Sequence, residues 1–253
     1  MNILAFYNIK GGVGKTASCV NLAYLAAAER QPTLLCDLDP QGSASYYFRI
    51  RPSAKYNSRK FLKGGKKIVR NIKGTDFEYL DLLPSDLSFR HLDIQLDDLK
   101  RSRKRLKELL LPLADQYRYI FLDCPPNITL ASENVFFAAD YLFVPMIPTV
   151  LSVRTFEQLC LFFRQAAYDP ERLFPFFSMV EKRKLMHQQF LMDPKLKKKR
   201  RMRTVIPYLS DIEKMGIYRQ PLTYHQPTSK GADSFRSLWN EMKTIMDGKP
   251  TGK

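Results

Sequence analysis

A short glycine-rich stretch near the start of the chain constrains the fold more than any other feature. Residues 8 to 23 read NIKGGVGKTASCVNLA; an apolar run, NILAFYN, precedes and overlaps them, and an alanine- and leucine-rich segment with helical spacing follows. A strand, a glycine loop and a helix in this order aim backbone N–H groups at an anion near the start of the helix. The sequence therefore predicts a phosphate-binding loop.

This loop departs from the usual phosphate-loop pattern, G-x-x-x-x-G-K-[ST]. Counted back from Gly14, Lys15 and Thr16, the pattern requires glycine at position 9, where the chain has Ile9. A second lysine, Lys10, stands just before the paired glycines. Lys15 is predicted to neutralise the β- and γ-phosphates and the Thr16 hydroxyl to face Mg²⁺. One cation suffices for a phosphate, so the role of Lys10 is a separate question.

Acidic residues follow two further apolar runs. LLCDLDPQG places Asp37 and Asp39 at the end of one predicted strand, and YIFLD places Asp123 at the end of another. Carboxylates in these positions hold magnesium or position water in phosphate-loop enzymes. An aspartate at a strand end is also a common turn residue. Its occurrence together with the loop favours a catalytic site over a simple turn.

The predicted strands are nearly continuous apolar runs, as expected for parallel strands covered by helices on both faces. They lie at residues 2–8, 33–39, 117–126, 141–148 and 174–180, with a sixth that ends at Pro207. Helical patterns between them predict an α/β fold, a doubly wound and mostly parallel sheet with ligands at the carboxyl ends of its strands. We predict one domain over residues 1–253, with an irregular or partly helical excursion at 43–80.

Positive charge is concentrated in two segments. The net charge is +16; residues 100–107, KRSRKRLK, carry six basic and no acidic residues, and residues 195–203, KLKKKRRMR, carry seven and none. This concentration favours a surface that binds a polyanion. The alternative for the second segment is a solvated loop. The alternative for the first is a helix whose cations pair with Asp93, Asp97 and Asp98.

Several classes of protein are disfavoured. The four cysteines and three histidines are scattered without zinc or disulfide spacing. No apolar run approaches 18 residues, and the N-terminus lacks the pattern of a signal peptide. We therefore expect a cytoplasmic protein with reduced, buried thiols.

Three motifs together, KGGVGKT, DLDPQGS and FLDCPP, resemble the ParA/MinD group of deviant-Walker ATPases. The segments LLPSDL, RTVIP and HQPTSKGADSFRSL are similar to ParA partitioning ATPases in particular. The resemblance implies a P-loop NTPase fold of the SIMIBI-like type. It also implies a slow ATP hydrolase that uses ATP and Mg²⁺ and is stimulated by DNA and by a partner protein.

The resemblance also implies roles for individual residues. ATP would be bound by Lys10, Gly11, Gly12, Val13, Gly14, Lys15, Thr16, Ala17 and Pro207. Lys10 would cross the interface of an ATP-sandwich homodimer and contact the partner's nucleotide, so that the catalytic residues are Lys10, Lys15 and Asp39. Asp39 would orient the attacking water, and Thr16, Asp37 and Asp123 would hold the metal. Two departures bear on this: Ala17 replaces a second hydroxyl residue, and Tyr208-Leu209 replaces Arg-Asn after Pro207.

Expected partners follow from the same resemblance. Nonspecific nucleoid DNA would be bound by Lys195, Lys197, Lys198, Lys199, Arg200, Arg201 and Arg203. A ParB-like or cargo-adaptor protein would stimulate hydrolysis, and the cargo would be a plasmid, a chromosome or a protein microcompartment such as a carboxysome. The alternative is a MinD-like membrane-cycling ATPase, which the polar tail MDGKPTGK disfavours, so no membrane partner is expected. A reductase of the nitrogenase iron-protein type needs cluster cysteines, and Cys124 has no suggestive companion.

Overall fold

The computed structural model describes residues 1–99, 102–193 and 201–248. Within these residues, one sheet contains the strands β1 (Asn2–Phe6), β2 (Thr33–Asp37), β3 (Lys73–Gly74), β4 (Leu80–Leu83), β5 (Tyr119–Asp123), β6 (Tyr141–Met146), β7 (Leu173–Val180) and β8 (Val205–Pro207). The longer helices are α1 (Lys15–Ala28), α7 (Leu130–Ala138), α8 (Val150–Gln165), α9 (Leu185–Met192) and α13 (Lys230–Met246).

Short helices fill the connections between these elements. They are α2 (Ser43–Tyr47), α3 (Ser58–Lys63), α4 (Lys66–Val69), α5 (Leu92–Asp97), α6 (Arg105–Leu110), α10 (Ser210–Glu213), α11 (Met215–Tyr218) and α12 (Leu222–His225). Single turns of 3₁₀ helix occur at Leu87–His91, Ser102–Lys104, Leu111–Leu113 and Pro170–Arg172.

The strand order is β3-β4-β2-β5-β1-β6-β7-β8, and every neighbouring pair is parallel except β3 with β4. The central strand β1 thus lies between β5 and β6, which come later in the chain. Its last residue, Phe6, pairs with Asp123 of β5, and Asp123 pairs in turn with Asp37 of β2. The two aspartates and the loop after β1 therefore meet at one edge, and the predicted doubly wound α/β fold is confirmed.

Both faces of the sheet are covered, which explains the continuous apolar runs. In β5, Ile120 and Leu122 belong to the core formed with α7 and α8, whereas Tyr119 and Phe121 belong to the core formed with α1 and α13. Trp239 of α13 packs against both aromatic rings, with ring centroids 5.3 Å and 6.1 Å apart. No described helix has both the length and the apolar character needed to cross a membrane.

Two strands were not predicted from the sequence. β4 overlaps the segment LLPSDL, which is similar to a ParA motif but has no strand pattern of its own, and β3 has only two residues. Residues 43–80 contain α2, α3, α4 and β3. The Asn57 side chain caps α3 by accepting a hydrogen bond from the Lys60 N–H at 3.0 Å. Gly64 and Gly65, both with positive φ, then separate α3 from α4.

Candidate nucleotide site

The loop between β1 and α1 is held from both sides. The Asn8 amide donates to the Pro145 carbonyl at 2.7 Å, and its oxygen accepts a hydrogen bond from the Lys10 N–H at 2.9 Å. Gly14 immediately precedes α1 with φ +87°, and a Cβ atom there would lie 2.8 Å from Ser178 Oγ. Glycine is thus required at position 14 both by backbone conformation and by the close approach of β7.

The two lysines of the loop are in different environments. The Lys15 side chain is 7% exposed, and its ammonium donates to the Lys10 carbonyl at 3.0 Å. Burial lowers the pKa of Lys15, while the nearby carboxylate of Asp123 opposes that shift. The Lys10 side chain is half-buried, and within the described chain its ammonium makes no hydrogen bond or ion pair. Lys15 therefore points into the site, and Lys10 is a cation without an internal partner.

Asp37 is fixed by the residues that follow it. Its Oδ2 accepts hydrogen bonds from the Ser45 N–H at 2.9 Å and from the Ser45 hydroxyl at 2.7 Å, and its Oδ1 accepts one from the Asp39 N–H at 3.2 Å. Burial raises the pKa of Asp37 to about 6, and the hydrogen bonds from Ser45 oppose that shift. Its carboxylate therefore ties the end of β2 to α2.

Asp123 is the buried group that most needs a ligand. It is 0% exposed, and neither carboxylate oxygen has a hydrogen-bond partner of ordinary geometry among the described residues. Burial, together with the neighbouring Asp37 carboxylate, raises its pKa well above the ordinary value, and the Thr16 side chain is the main group that opposes the shift. A buried carboxylate is costly unless a cation or donors satisfy it. Asp123 and Thr16 thus fit a divalent cation.

The protein does not offer this cation a complete shell. Among the described residues, no group of three or more histidine, cysteine or acidic side chains could hold a metal ion by itself. Magnesium in nucleotide sites is usually bound by one or two protein ligands, phosphate oxygens and water. The residues present therefore fit Mg²⁺ that arrives with a nucleotide.

A cleft of about 360 Å³ lies over the loop. Its lining includes these predicted residues: Gly11, Gly12, Gly14, Lys15, Thr16, Ala17, Asp39 and Pro207. Four predicted residues do not line it: Lys10, Val13, Asp37 and Asp123. Val13 is 1% exposed and belongs to the interior of the loop. Asp39 lines the cleft with its Oδ1 accepting a hydrogen bond from the Gln41 N–H at 2.9 Å.

The far end of the cleft is formed by residues that were not predicted to bind the nucleotide. Ile206, Ile212 and Phe235 supply apolar surface there. The Tyr208 hydroxyl donates to the Glu213 carboxylate at 2.7 Å, so these two side chains form a polar pair at the same end. The cleft thus has a polar end at the glycine loop and a largely apolar end beyond Pro207.

A backbone irregularity in β7 shapes the wall of the cleft. The pairing of β7 with β8 shifts between Phe177 and Val180, and Met179 between them has φ +55°. A positive φ is uncommon in non-glycine residues, and the residues that adopt it are concentrated at functional sites. The irregularity places Ser178 and Met179 in the cleft wall, with Ser178 against Gly14.

The structure describes only two of the predicted DNA-binding residues, Arg201 and Arg203. Lys195, Lys197, Lys198, Lys199 and Arg200 lie outside the described residues. The Arg201 guanidinium donates to the Leu191 carbonyl at 3.2 Å and lies 5.0 Å from the Phe177 ring centroid. Arg203 is exposed; its backbone N–H donates to Glu241 at 2.7 Å, and its guanidinium has no hydrogen bond or ion pair among the described residues. Arg201 is thus a packed cation, and Arg203 presents its side chain to solvent.

The Asp123→Asn variant is expected to change the pH dependence of stability. A carboxyl whose pKa is raised by folding holds its proton more tightly in the native state, so the free energy of unfolding falls as pH rises from about 4 through the raised pKa. Asparagine removes this penalty. In EDTA, urea unfolding should show a smaller fall from pH 5 to pH 8 for the variant than for the parent protein. An equal fall in both proteins would show that Asp123 is not an unsatisfied carboxylate.

Comparison with known proteins gives the family of this chain. The family model AAA_31, described as an AAA domain, matches residues 1–171. Two uncharacterised proteins from Pseudomonas putida are 32% identical over 145 residues, which cover 57% of this chain and 55% of each relative. The chain thus matches about half the length of these relatives. The chromosome partitioning protein ParA of Myxococcus xanthus is 28% identical over 247 residues, covering 95% of this chain and 87% of that protein.

Solved structures share the fold over the whole chain. A putative plasmid partition protein from Borrelia burgdorferi bound to AMPPNP superposes with a TM-score of 0.81 at 24% identity, covering 98% of each chain. The septum site-determining protein MinD from Pyrococcus horikoshii, complexed with Mg-ADP, gives 0.78 at 19% identity, covering 99% of each chain.

Proposed function

Because this chain belongs to the AAA_31 family of AAA domains, we propose that it is a ParA-type ATPase that dimerises with ATP, binds nonspecific nucleoid DNA and positions or segregates a cargo. The single observation that carries this proposal is the presence of a buried lysine and an unsatisfied buried carboxylate beside one glycine loop. Lys15 and Asp123 are complementary to a polyphosphate with its divalent cation.

The residues in and beside the cleft have different roles in ATP hydrolysis. Lys15 and the loop N–H groups bind the β- and γ-phosphates and stabilise the charge that develops on them. Asp123 and Thr16 would hold Mg²⁺, while Asp37, fixed by Ser45, would support them. The bound cation supplies positive charge to the phosphate oxygens. Asp39 at the rim orients the attacking water.

A homodimer would complete the site. In the described chain the Lys10 ammonium has no internal partner, and the glycine loop lies open at the cleft. A second copy facing the cleft would place its Lys10 on the nucleotide, adding a cation from the opposite subunit. Two such cationic faces repel one another, so the dimer would depend on the intervening polyphosphate.

The proposed cycle links this dimer to DNA and to a partner protein. The ATP-bound dimer would coat the nucleoid through phosphate contacts made by Arg200, Arg203 and the lysines of residues 195–199, contacts that are independent of base sequence. A ParB-like or cargo-adaptor protein would stimulate slow hydrolysis and release the monomer to the cytoplasm. The cargo would be a plasmid, a chromosome or a protein microcompartment.

Two binding measurements test this proposal. Sedimentation of the full chain with duplex DNA should depend on ATP and magnesium and should be lost when ADP replaces ATP. Sedimentation with phosphatidylserine vesicles should show no nucleotide-dependent binding. Binding to the vesicles but not to the duplex would overturn the proposal in favour of a MinD-like membrane cycle.

A further inference from the structure

A third basic segment lies within the excursion between β2 and β4. Residues 40–75 contain no aspartate or glutamate. They contain ten basic residues: Arg49, Arg51, Lys55, Arg59, Lys60, Lys63, Lys66, Lys67, Arg70 and Lys73. The concentration of charge in residues 100–107 and 195–203 is therefore only part of the pattern. Outside these three segments the chain carries a net negative charge, so the net positive charge of the protein is confined to them.

The fold joins this segment to the cations of residues 102–107. The Arg105 guanidinium donates to the Leu62 carbonyl at the end of α3, through Nε at 2.9 Å and Nη2 at 2.6 Å. A Cβ atom on Gly64 would lie 2.5 Å from Leu109 Cδ2, so the turn after α3 packs directly on α6. The two segments therefore lie side by side at the surface of the protein.

We define the basic face by the exposed cations of this surface. They are Arg59, Lys63, Lys66, Lys67, Arg70, Arg103 and Lys104. Arg103 pairs with Glu133 at 3.1 Å, and the partly exposed Arg105 pairs with Glu108 at 3.2 Å. The other six cations of the basic face have no ion pair within the described chain.

Acidic groups near the basic face do not neutralise it. Asp98 lines an open groove together with Arg59 and Lys63, yet it lies beyond ion-pair distance of both. Asp93 is engaged elsewhere, accepting a hydrogen bond from the Ala131 N–H at 2.7 Å. Among the described residues of 102–107, none pairs with Asp93, Asp97 or Asp98, so that predicted alternative is wrong for them. An uncompensated positive field remains on this side of the protein.

The basic face is well separated from Arg203, a described cation of residues 195–203. α3 packs over the residues that follow β2 and β5, where Phe61 and Leu62 lie beside Leu38 and Pro125. Arg203 leads into β8, the edge strand on the other side. β2 and β8 are five positions apart in the sheet, or about 24 Å at about 4.8 Å per position. A ligand that makes only a few neighbouring contacts therefore cannot reach both the basic face and Arg203.

We propose that the basic face is a second surface for duplex DNA, distinct from the segment at 195–203; this inference rests on the proposed function, in which DNA is the polyanion. Its cations come from α3, from α4 and the residue after it, and from the turn before α6, and they form a spread of exposed charges, not a single pocket. Such an array matches the repeated phosphates of a duplex, which are bound through charge without reading the bases. An acidic protein segment or an anionic membrane is the other class of partner, and the test separates both from DNA.

The test compares three variants of the full chain, each lacking four positive charges. The basic-face variant carries Arg59→Gln, Lys63→Gln, Lys66→Gln and Lys67→Gln. The late-segment variant carries Lys197→Gln, Lys198→Gln, Lys199→Gln and Arg200→Gln. The control carries Arg30→Gln, Arg118→Gln, Arg164→Gln and Lys230→Gln, which are exposed and unpaired within the described chain.

Binding of each protein to a 24-base-pair duplex is measured by fluorescence anisotropy with ATP analogue and magnesium over a series of salt concentrations. The basic-face variant should bind at least about tenfold more weakly at 0.1 M salt, with a log-log salt slope flatter by about 2, as expected for about two lost phosphate contacts. The control should lose less than threefold. Circular dichroism and ATP binding should be unchanged in all three variants.

The outcomes separate this inference from the proposed function. Parent protein that binds ATP but no duplex would overturn both the DNA part of the function and the second surface. Parent protein that binds the duplex, with a basic-face variant that binds as well as the control, would overturn the second surface alone. Loss of binding to phosphatidylserine vesicles or to polyglutamate, with duplex affinity retained, would assign the face to lipid or to an acidic protein and would also overturn it.

Discussion

The Lys15→Ala variant is expected to lose ATP binding by at least about 100-fold. Charge-assisted hydrogen bonds to an ionised group contribute about 1.5–3 kcal/mol each, and the Lys15 ammonium is placed to make more than one to the phosphates. The lysine is 7% exposed and lines the cleft, so its ammonium is already largely removed from solvent before the nucleotide binds. Titration calorimetry with a non-hydrolysable ATP analogue and magnesium measures the loss.

A matched control separates a local effect of Lys15 from a general change in charge. Lys66→Ala removes an exposed lysine from α4, which contributes no residue to the lining of the cleft, and should bind the analogue as the parent does. Thermal unfolding should show that Lys15→Ala is folded, because among the described residues the Lys15 ammonium makes one hydrogen bond, to the Lys10 carbonyl. Binding by Lys15→Ala within threefold of the parent would mean that the cleft is not the phosphate site.

Asp39→Asn is expected to reduce ATP hydrolysis by about 100-fold or more while leaving ATP affinity within about threefold. A side chain that positions or deprotonates water contributes about 10²–10⁴-fold to a rate. Asparagine keeps an oxygen that can accept the hydrogen bond from the Gln41 N–H, so the local turn should survive. Phosphate release under saturating ATP and calorimetric affinity, measured on the same preparation, separate the rate from binding.

The neighbouring Asp37 provides the contrast for this prediction. Asp37 is held by three hydrogen bonds and does not line the cleft, so Asp37→Asn should disturb α2 and lower stability as well as the rate. Asp39→Asn should lower the rate alone. Unchanged turnover in Asp39→Asn would exclude Asp39 as the residue that orients water.

The elements that could be predicted from the sequence are those whose signals lie within one short segment of the chain. An apolar run, glycines and a Lys-Thr pair within about fifteen residues define the strand, the loop and the helix start. The strand-end aspartates were found because parallel strands bring their carboxyl ends to one edge, where Asp37 and Asp123 indeed pair in register. The motifs also indicated ParA-type ATPases, and the family match and the partitioning relatives confirm that resemblance.

The features that were missed depend on contacts between distant segments. The contact between Ser178 and Gly14 cannot be predicted from the segment FPFFSMV alone, because the irregularity in β7 depends on its pairing with β8. The β4 strand is short and reads as a motif, and its assignment requires β2 as a neighbour. The basic face was missed because its cations belong to two segments, which the Arg105 contact to Leu62 brings together.

The mass of the protein in solution, measured by light scattering with a non-hydrolysable ATP analogue and magnesium, tests the central claim most directly. The parent protein should rise from 29.5 kDa to twice that mass when the analogue is added. Lys10→Ala should bind the analogue with near-parent affinity and remain at 29.5 kDa, whereas the Lys66→Ala control should dimerise. A Lys10→Ala protein that dimerises with the analogue as fully as the parent would contradict the account of a lysine that acts across the subunit interface.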